Sequence, residues 1–240
     1  MSDILKGFHM DLKRGLKDGI PVALGYFSVS IAFGLMAVQC GLTWFEALLI
    51  SFTNLTSAGQ FAGITVIAGM GTYLEMALTQ LVINSRYALM GISLSQKTDS
   101  RFRGAWRMLF GFAITDEIFA VSSGQKGDIT REYFSGLIIL PIIGWSSGTV
   151  CGAILGNVMP HIVTNALGVA LYGMFIAVVV PKARENIHVL AVVAISVVIS
   201  TALYYIPAFS GISSGFAIII CAVAASAAGA LIFPVKEGER

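Results

Sequence analysis

The stretch Asn54-Leu55-Thr56-Ser57-Ala58-Gly59-Gln60 places amide and hydroxyl groups near the middle of a long apolar segment. Two readings of it stand. Either the helix breaks there and offers free amides and carbonyls to the charged ends of a small molecule, or the polar groups bond across a helix–helix seam. Arg86 lies well inside a second apolar run, preceded by Asn84 and followed by Tyr87. A guanidinium at that depth costs at least a few kcal/mol unless it is paired or faces water. The acidic residues comparably enclosed by apolar sequence are Asp116 and Glu117, in Ala113-Ile114-Thr115-Asp116-Glu117-Ile118-Phe119-Ala120. Neighbours on a helix point about 100° apart, so one carboxylate can neutralise Arg86 while the other faces a pore or another helix. A buried ion pair explains these charges by structure alone; a substrate or proton site explains them by function.

Other chemistries find little support. Cys40, Cys151 and Cys221 are scattered singly in apolar segments, without zinc or disulfide spacing, and read as packing residues. His9, His161 and His188 fall at segment ends, far apart in sequence, and read as surface residues rather than metal ligands. No Ser-His-Asp order, zinc-protease pair or phosphate-binding glycine loop is visible, so neither an enzyme nor a cofactor or metal is expected. The net charge of +2 is too small to suggest a nucleic-acid partner. Gly144, Gly148, Gly152 and Gly156 recur every four residues on one helix face, which argues for close helix packing and not for catalysis. Ala222, Ser226 and Ala230 form a weaker row of the same kind, open to this chain or to a partner.

Membrane helices must position these groups. A 240-residue chain with 56% hydrophobic and 12% charged residues and a mean hydropathy of +0.83 lacks the polar surface of a soluble globule, so its main partner is the lipid bilayer. Residues 133–181 and 187–235 contain no Asp, Glu, Lys or Arg, and they show no strand-like alternation. Apolar runs place spans near residues 20–39, 44–70, 73–95, 108–124, 133–156, 162–181, 187–206 and 211–233. The fold class is an all-α polytopic membrane protein of about eight transmembrane helices, some of them broken or re-entrant. Residues 1–18 mix charges with Ile4, Leu5, Phe8, Leu12 and Leu16 at helical spacing and read as an amphipathic interfacial segment. Residues 19–235 then make a single transmembrane domain, and residues 236–240 a polar tail.

Orientation follows from the positive residues. With eight full crossings, both termini are cytoplasmic, together with the clusters Lys6/Lys13/Arg14/Lys17, Lys126/Arg131, Lys182/Arg184 and Lys236/Arg240. One loop disagrees, because Lys97, Arg101, Arg103 and Arg107 then lie outside. Two segments that enter and leave on one side, one within 44–95 and the other at 108–124, remove the conflict.

At these same residues the chain resembles the AzlC family, the large subunit of bacterial branched-chain amino-acid exporters. Ala58-Gly59-Gln60-Phe61 is similar to the end of that family's Ala-Gly-Ala-Ser-Gln-Phe stretch, with Ser57 and Gly59 departing from the usual Gly and Ser. Asn84-Ser85-Arg86-Tyr87-Ala88-Leu89-Met90-Gly91 resembles its Asp/Asn-x-Arg-His-x-Leu-Tyr/Met-Gly motif, with Tyr87 in place of the usual His. Thr115-Asp116-Glu117-Ile118-Phe119-Ala120 is similar to its Thr-Asp-Glu-x-Phe-Ala, and Trp145 through Gly156 to its glycine-striped helix. A later segment, Ala166 to Phe175, is similar too, with Tyr172 where Pro is common. The resemblance covers roughly residues 15–235. It implies a bacterial inner-membrane permease that exports hydrophobic amino acids, together with a small AzlD-like membrane subunit.

The expectation is a secondary exporter whose cavity accepts a zwitterion with an aliphatic side chain. Substrate-binding candidates are Asn54, Ser57, Gln60, Asn84, Arg86, Tyr87, Thr115, Asp116 and Glu117. Arg86 or the amides of 57–60 would meet the carboxylate, and Asp116 or Glu117 the ammonium. Phe61, Phe112 and Phe119 would supply apolar wall, and Asp116 or Glu117 would carry a coupled proton. The rivals are a passive channel for small zwitterions and a non-transporting scaffold subunit.

Overall fold

The computed structural model describes residues 2–100, 102–156, 176, 179–181 and 183–234. Most of the expected span at 162–181, His161, the 166–175 stretch with Tyr172, Arg101, Lys182 and the tail at 236–240 lie outside these residues. The described residues form α-helices with one short 3-10 turn and no β-strand.

Local signals explain where the helices start and stop. α1 (Ser2–Gln39) is one unbroken helix with Pro21 inside it. α2 (Trp44–Thr53) begins at a capping box, in which Thr43 Oγ1 accepts from the Glu46 amide and Glu46 Oε2 accepts from the Thr43 amide at 2.7 Å. It stops where Asn54 turns extended, and α3 (Ala58–Ala68) starts only after Ser57, whose φ is +45°. α4 (Tyr73–Ser95) is continuous, whereas α5 (Ala105–Gly111) and α6 (Asp116–Ser123) are short and separated by residues 112–115. α7 (Arg131–Leu155) is capped by Thr130 and α8 (Ile187–Tyr205) by Asn186; the turn Pro207–Phe209 leads on to α9 (Ser214–Ile232).

Two of the expected spans are interrupted, in keeping with an architecture in which some helices are broken or re-entrant. The runs at 44–70 and 108–124 are each a pair of short helices rather than one continuous helix. Asn, Thr and Ser compete with the helical backbone for hydrogen bonds. In the second run Thr115 caps a new helix: its hydroxyl accepts from the Ile118 amide, and Asp116 and Glu117 fill the acid-favouring first turn.

The chain divides into two compact units, Met1–Gln60 with Asn84–Asn165, and Phe61–Ile83 with Ala166–Arg240. The first is organised on α1 and α7. Glycines bring the two backbones together: Gly19 abuts Leu137, Gly144 abuts Ala23, Gly148 abuts Phe27 and Ser30, and Gly152 abuts Ile31. Both numbers rise together along the seam, so α1 and α7 are parallel and begin on the same side. Gly156 meets Leu35 at the far end.

That starting side gathers polar groups and loops. Asp11 accepts from Thr130 (2.9 Å), Asp18 accepts from Tyr133 (2.9 Å), and Arg14 bonds to Gln125. The loop after α4 joins them, because the Ile129 amide donates to the Lys97 carbonyl (2.8 Å) and the Asp99 amide to the Ile129 carbonyl (3.1 Å). Lys97 also donates to the Ser123 carbonyl, and the Arg131 guanidinium lies over Trp106. The basic residues Lys97 and Arg103 therefore belong to a loop on the same side as Lys126 and Arg131 and the first turns of α1. Eight full crossings put these clusters on opposite sides. α5 starts and α6 ends at this same side, and Phe102, Phe110 and Phe134 pack against one another there with ring centroids 5.0–5.9 Å apart.

In the second unit α8 and α9 form an antiparallel hairpin, with His188 stacked on Phe233 at 4.3 Å and Gly229 against Val192. Gly215 and Ala225 are the buried small residues of α9, while of the expected row Ala222 is half-buried and Ser226 and Ala230 are exposed. The start of α9 is held by Glu75, whose buried carboxylate accepts from the Gly215 amide (3.0 Å) and from the Ser213 hydroxyl.

Candidate functional site

Three hydrogen-bonded chains converge on the first unit, and each begins at a helix interruption. At the α2–α3 break, the Thr56 carbonyl accepts from the Tyr87 hydroxyl (3.3 Å), which in turn accepts from the Arg86 guanidinium (3.2 Å). The guanidinium also lies 5.0 Å from the centre of the Tyr87 ring. Arg86 forms a 2.8 Å salt bridge with Asp116 at the start of α6. The pair is not sealed, since the two side chains are 44% and 38% exposed.

Glu117 takes a different partner. Its carboxylate accepts from the Tyr26 hydroxyl on α1 (2.8 Å), and Tyr26 is also hydrogen-bonded to the Thr115 hydroxyl. Tyr26 is buried, with its ring edge-on to Trp145 at 5.4 Å, whereas Glu117 is exposed. Both carboxylates sit in the first turn of α6, where the helix dipole favours negative charge.

The third chain lies inside. Gln60 donates to Ser51 Oγ (3.0 Å), Ser51 pairs with Thr149 (2.7 Å), and Thr149 donates to the Trp145 carbonyl (3.0 Å). These hydroxyls cross from α2 to α7, so the broken helix is pinned to the glycine-rich one.

The structure thus joins Arg86, Tyr87, Thr115, Asp116 and Glu117 to one another and to the break, with Gln60 just beyond it. Asn54 ends α2, Ser57 sets the turn into α3, and Asn84 lies half-buried two residues before Arg86. Of the expected apolar wall, Phe112 is exposed, Phe119 packs on the core of the first unit, and Phe61 belongs to the second unit. An apolar cavity of about 160 Å³ lies in the first unit, lined by Gly91, Leu94, Phe102, Phe110, Ile114 and Phe134. It starts about one turn beyond Arg86 on α4 and two residues before Asp116.

Sequence reasoning missed three residues. Tyr26 is read there as one more aromatic of an apolar span, and nothing local distinguishes it. Ser51 looks like a tolerated small polar residue. Glu75 corrects the view that Asp116 and Glu117 are the enclosed acids, because it is more buried than either. Its position in the first turn of α4, after Thr72, made it look like an ordinary helix-start acid.

A family model described as AzlC protein matches residues 21–159, which spans the site from Tyr26 to Thr149. The chain is 30% identical over 171 residues to the inner membrane protein YgaZ of Escherichia coli, covering 68% of this chain and 70% of that one. It is 27% identical to an uncharacterized membrane protein of Archaeoglobus fulgidus, covering 76% and 80%. It is 20% identical to the branched-chain amino acid transport protein AzlC of Bacillus subtilis, covering 78% and 74%. No solved structure matches the chain.

Proposed function

The chain belongs to the AzlC family, and on that premise we propose that it is a secondary transporter that exports branched-chain or similar hydrophobic amino acids across the inner membrane. The observation that carries the reading is the broken α2–α3 helix tied through Tyr87 to a half-open Arg86–Asp116 pair. Charges that open at the depth of an apolar helix cannot face lipid cheaply, so their open faces look into water or substrate. A relative's name supplies the substrate class, branched-chain amino acids.

The residues divide the work by charge. The substrate carboxylate is met by Arg86, or by the free amides where α3 begins after Ser57, since both present donors to an anion. The ammonium is met at the start of α6. Asp116 is committed to Arg86, so Glu117 is the exchangeable carboxylate. It is exposed, and the Tyr26 hydroxyl can follow its protonation state by donating to the carboxylate or accepting from the acid. Glu117 is therefore the candidate proton carrier. The apolar cavity beside Gly91 and Ile114 gives an aliphatic side chain its room.

Both termini and the basic loops are assigned to the cytoplasm by their Lys and Arg content. A small AzlD-type membrane subunit is the proposed partner, and the outward row of Ser226 and Ala230 is one small-residue face open to it. The test is reconstitution of the purified chain into liposomes, with and without the co-encoded small subunit, followed by labelled leucine flux. Accumulation against a gradient supports the exporter. Downhill flux alone makes the protein a channel, and no specific flux in either preparation makes it a scaffold.

A further inference from the structure

Gln60 occupies the first turn of α3 and is only 2% exposed. Its amide is not free to turn. The Thr149 hydroxyl spends its hydrogen on the Trp145 carbonyl, so it must accept from Ser51. Ser51 spends its own hydrogen on Thr149 and is left as an acceptor, which only the Gln60 amide nitrogen can serve. Turning the amide over reverses the chain and gives up the bond to the Trp145 carbonyl, one hydrogen bond fewer. The Gln60 carbonyl oxygen, Oε1, is therefore held facing away from Ser51.

That oxygen is shielded from solvent, yet among the described residues no donor reaches it. A buried acceptor left unmade carries a penalty that a fully apolar side chain would avoid. Thr56 Oγ1, within the break, is also buried and has no partner among the described residues. The two carboxylates at the start of α6 are already engaged, Asp116 by Arg86 and Glu117 by Tyr26. What is missing beside the break is a donor, and a cationic one would make the stronger bond.

We infer that Gln60 Oε1 accepts one hydrogen of the substrate's α-ammonium group, so that the site selects α-amino acids over the α-keto acids of the same side chain. A keto acid keeps the carboxylate and the aliphatic group but brings no donor, and it leaves the pinned oxygen unmade. Sites built around a buried hydrogen-bonding group reject the analogue that lacks the complementary group more strongly than they reject a change of size. Ser51 and Thr149 are positioning residues in this account, since they act by fixing the amide.

The inference rests on the amino-acid reading above, and the experiment separates the two. Leucine and 4-methyl-2-oxopentanoate are titrated by calorimetry into the purified full chain, with the small subunit present, so that transport need not occur. The wild type is expected to bind leucine about 10- to 100-fold more tightly than the keto acid. Gln60→Met should bring the two within a few-fold of each other by weakening leucine alone, while Gln60→Glu, which keeps an acceptor, preserves the preference. Ser51→Ala leaves Gln60 in place but releases its amide, and should give an intermediate ratio; it serves in place of Gln60→Met if that variant does not fold. An unchanged ratio in Gln60→Met, or in Ser51→Ala, overturns the assignment of Gln60 alone. Equal loss of both ligands in Gln60→Met and Gln60→Glu makes Gln60 structural and also overturns it. A wild type that binds no leucine removes the amino-acid reading itself.

Discussion

Replacing glycines along the α1–α7 seam should cost stability in proportion to how closely each one meets the opposite backbone. A methyl carbon comes no nearer to a carbonyl oxygen than about 3.3 Å without repulsion. A Cβ on Gly144 would stand 2.5 Å from the Ala23 carbonyl oxygen, so the helices would have to part by roughly 0.8 Å at that point. Main-chain atoms cannot swing aside as a side chain can. Overpacking of this kind costs about 1–3 kcal/mol for a single added carbon, and that is the expected loss for Gly144→Ala. Gly148→Leu adds a branched side chain against Phe27 and Ser30 and should leave no monodisperse protein. Gly25, on the same α1 helix, has nothing within 4 Å of its would-be Cβ. Gly25→Ala should therefore be neutral or stabilising by about 0.5–1 kcal/mol, because alanine is the better helix former. The assay is thermal unfolding in detergent with size-exclusion profiles, and the expected order is Gly25→Ala, wild type, Gly144→Ala, Gly148→Leu. A stable Gly148→Leu protein with altered substrate preference would refute the reasoning, since it would place this face on the pathway.

Three further outcomes follow from the same structure. Asp116→Asn should lower stability by only about 1 kcal/mol, because the ion pair with Arg86 is nearly half open, and adding Arg86→Gln should recover most of that loss in a double-mutant cycle of unfolding free energies. Ser57→Gly should stabilise the purified protein by about 0.5–1 kcal/mol, read as a rise in thermal midpoint, because position 57 has φ +45° and serine pays for the left-handed backbone. Arg103→Cys, in a background without Cys40, Cys151 and Cys221, should react with an impermeant thiol reagent only after the membrane is opened; labelling of intact cells would restore eight full crossings.

The membrane class and the run of helices are legible in the sequence because lipid exposure demands long apolar stretches, and residues 133–155 and 187–232 meet that demand plainly. Breaks inside such stretches are harder to read. Asn54 to Gln60 suits either a seam or an interruption, and the choice depends on Ser57 adopting a positive φ that only its neighbours impose. The resemblance held a clue, since glycine is usual at that position. Thr115-Asp116-Glu117 carried a helix-start signal that hydropathy outweighed, so the run at 108–124 read as one apolar segment, crossing or re-entrant, although α6 begins within it. The basic loop at 97–107 was the clearest sign that full crossings alone do not fit, and the backbone pairing of Lys97 with Ile129 gives the reason. Partners distant in sequence were out of reach: nothing near Tyr26 points to Glu117, nor anything near Ser51 to Thr149. Glu75 was hidden because its burial depends on the start of α9, far along the chain.

The central claim is that Glu117, and not the ion-paired Asp116, carries the exchangeable charge of an amino-acid exporter. The direct measurement is labelled leucine accumulation in proteoliposomes under an imposed pH gradient, comparing the wild type, Glu117→Gln and Asp116→Asn in the same lipid with the small subunit present. The account predicts uphill accumulation by the wild type, at least partial accumulation by Asp116→Asn, and no more than downhill exchange by a normally folded Glu117→Gln. Wild-type uphill accumulation by Glu117→Gln would contradict it.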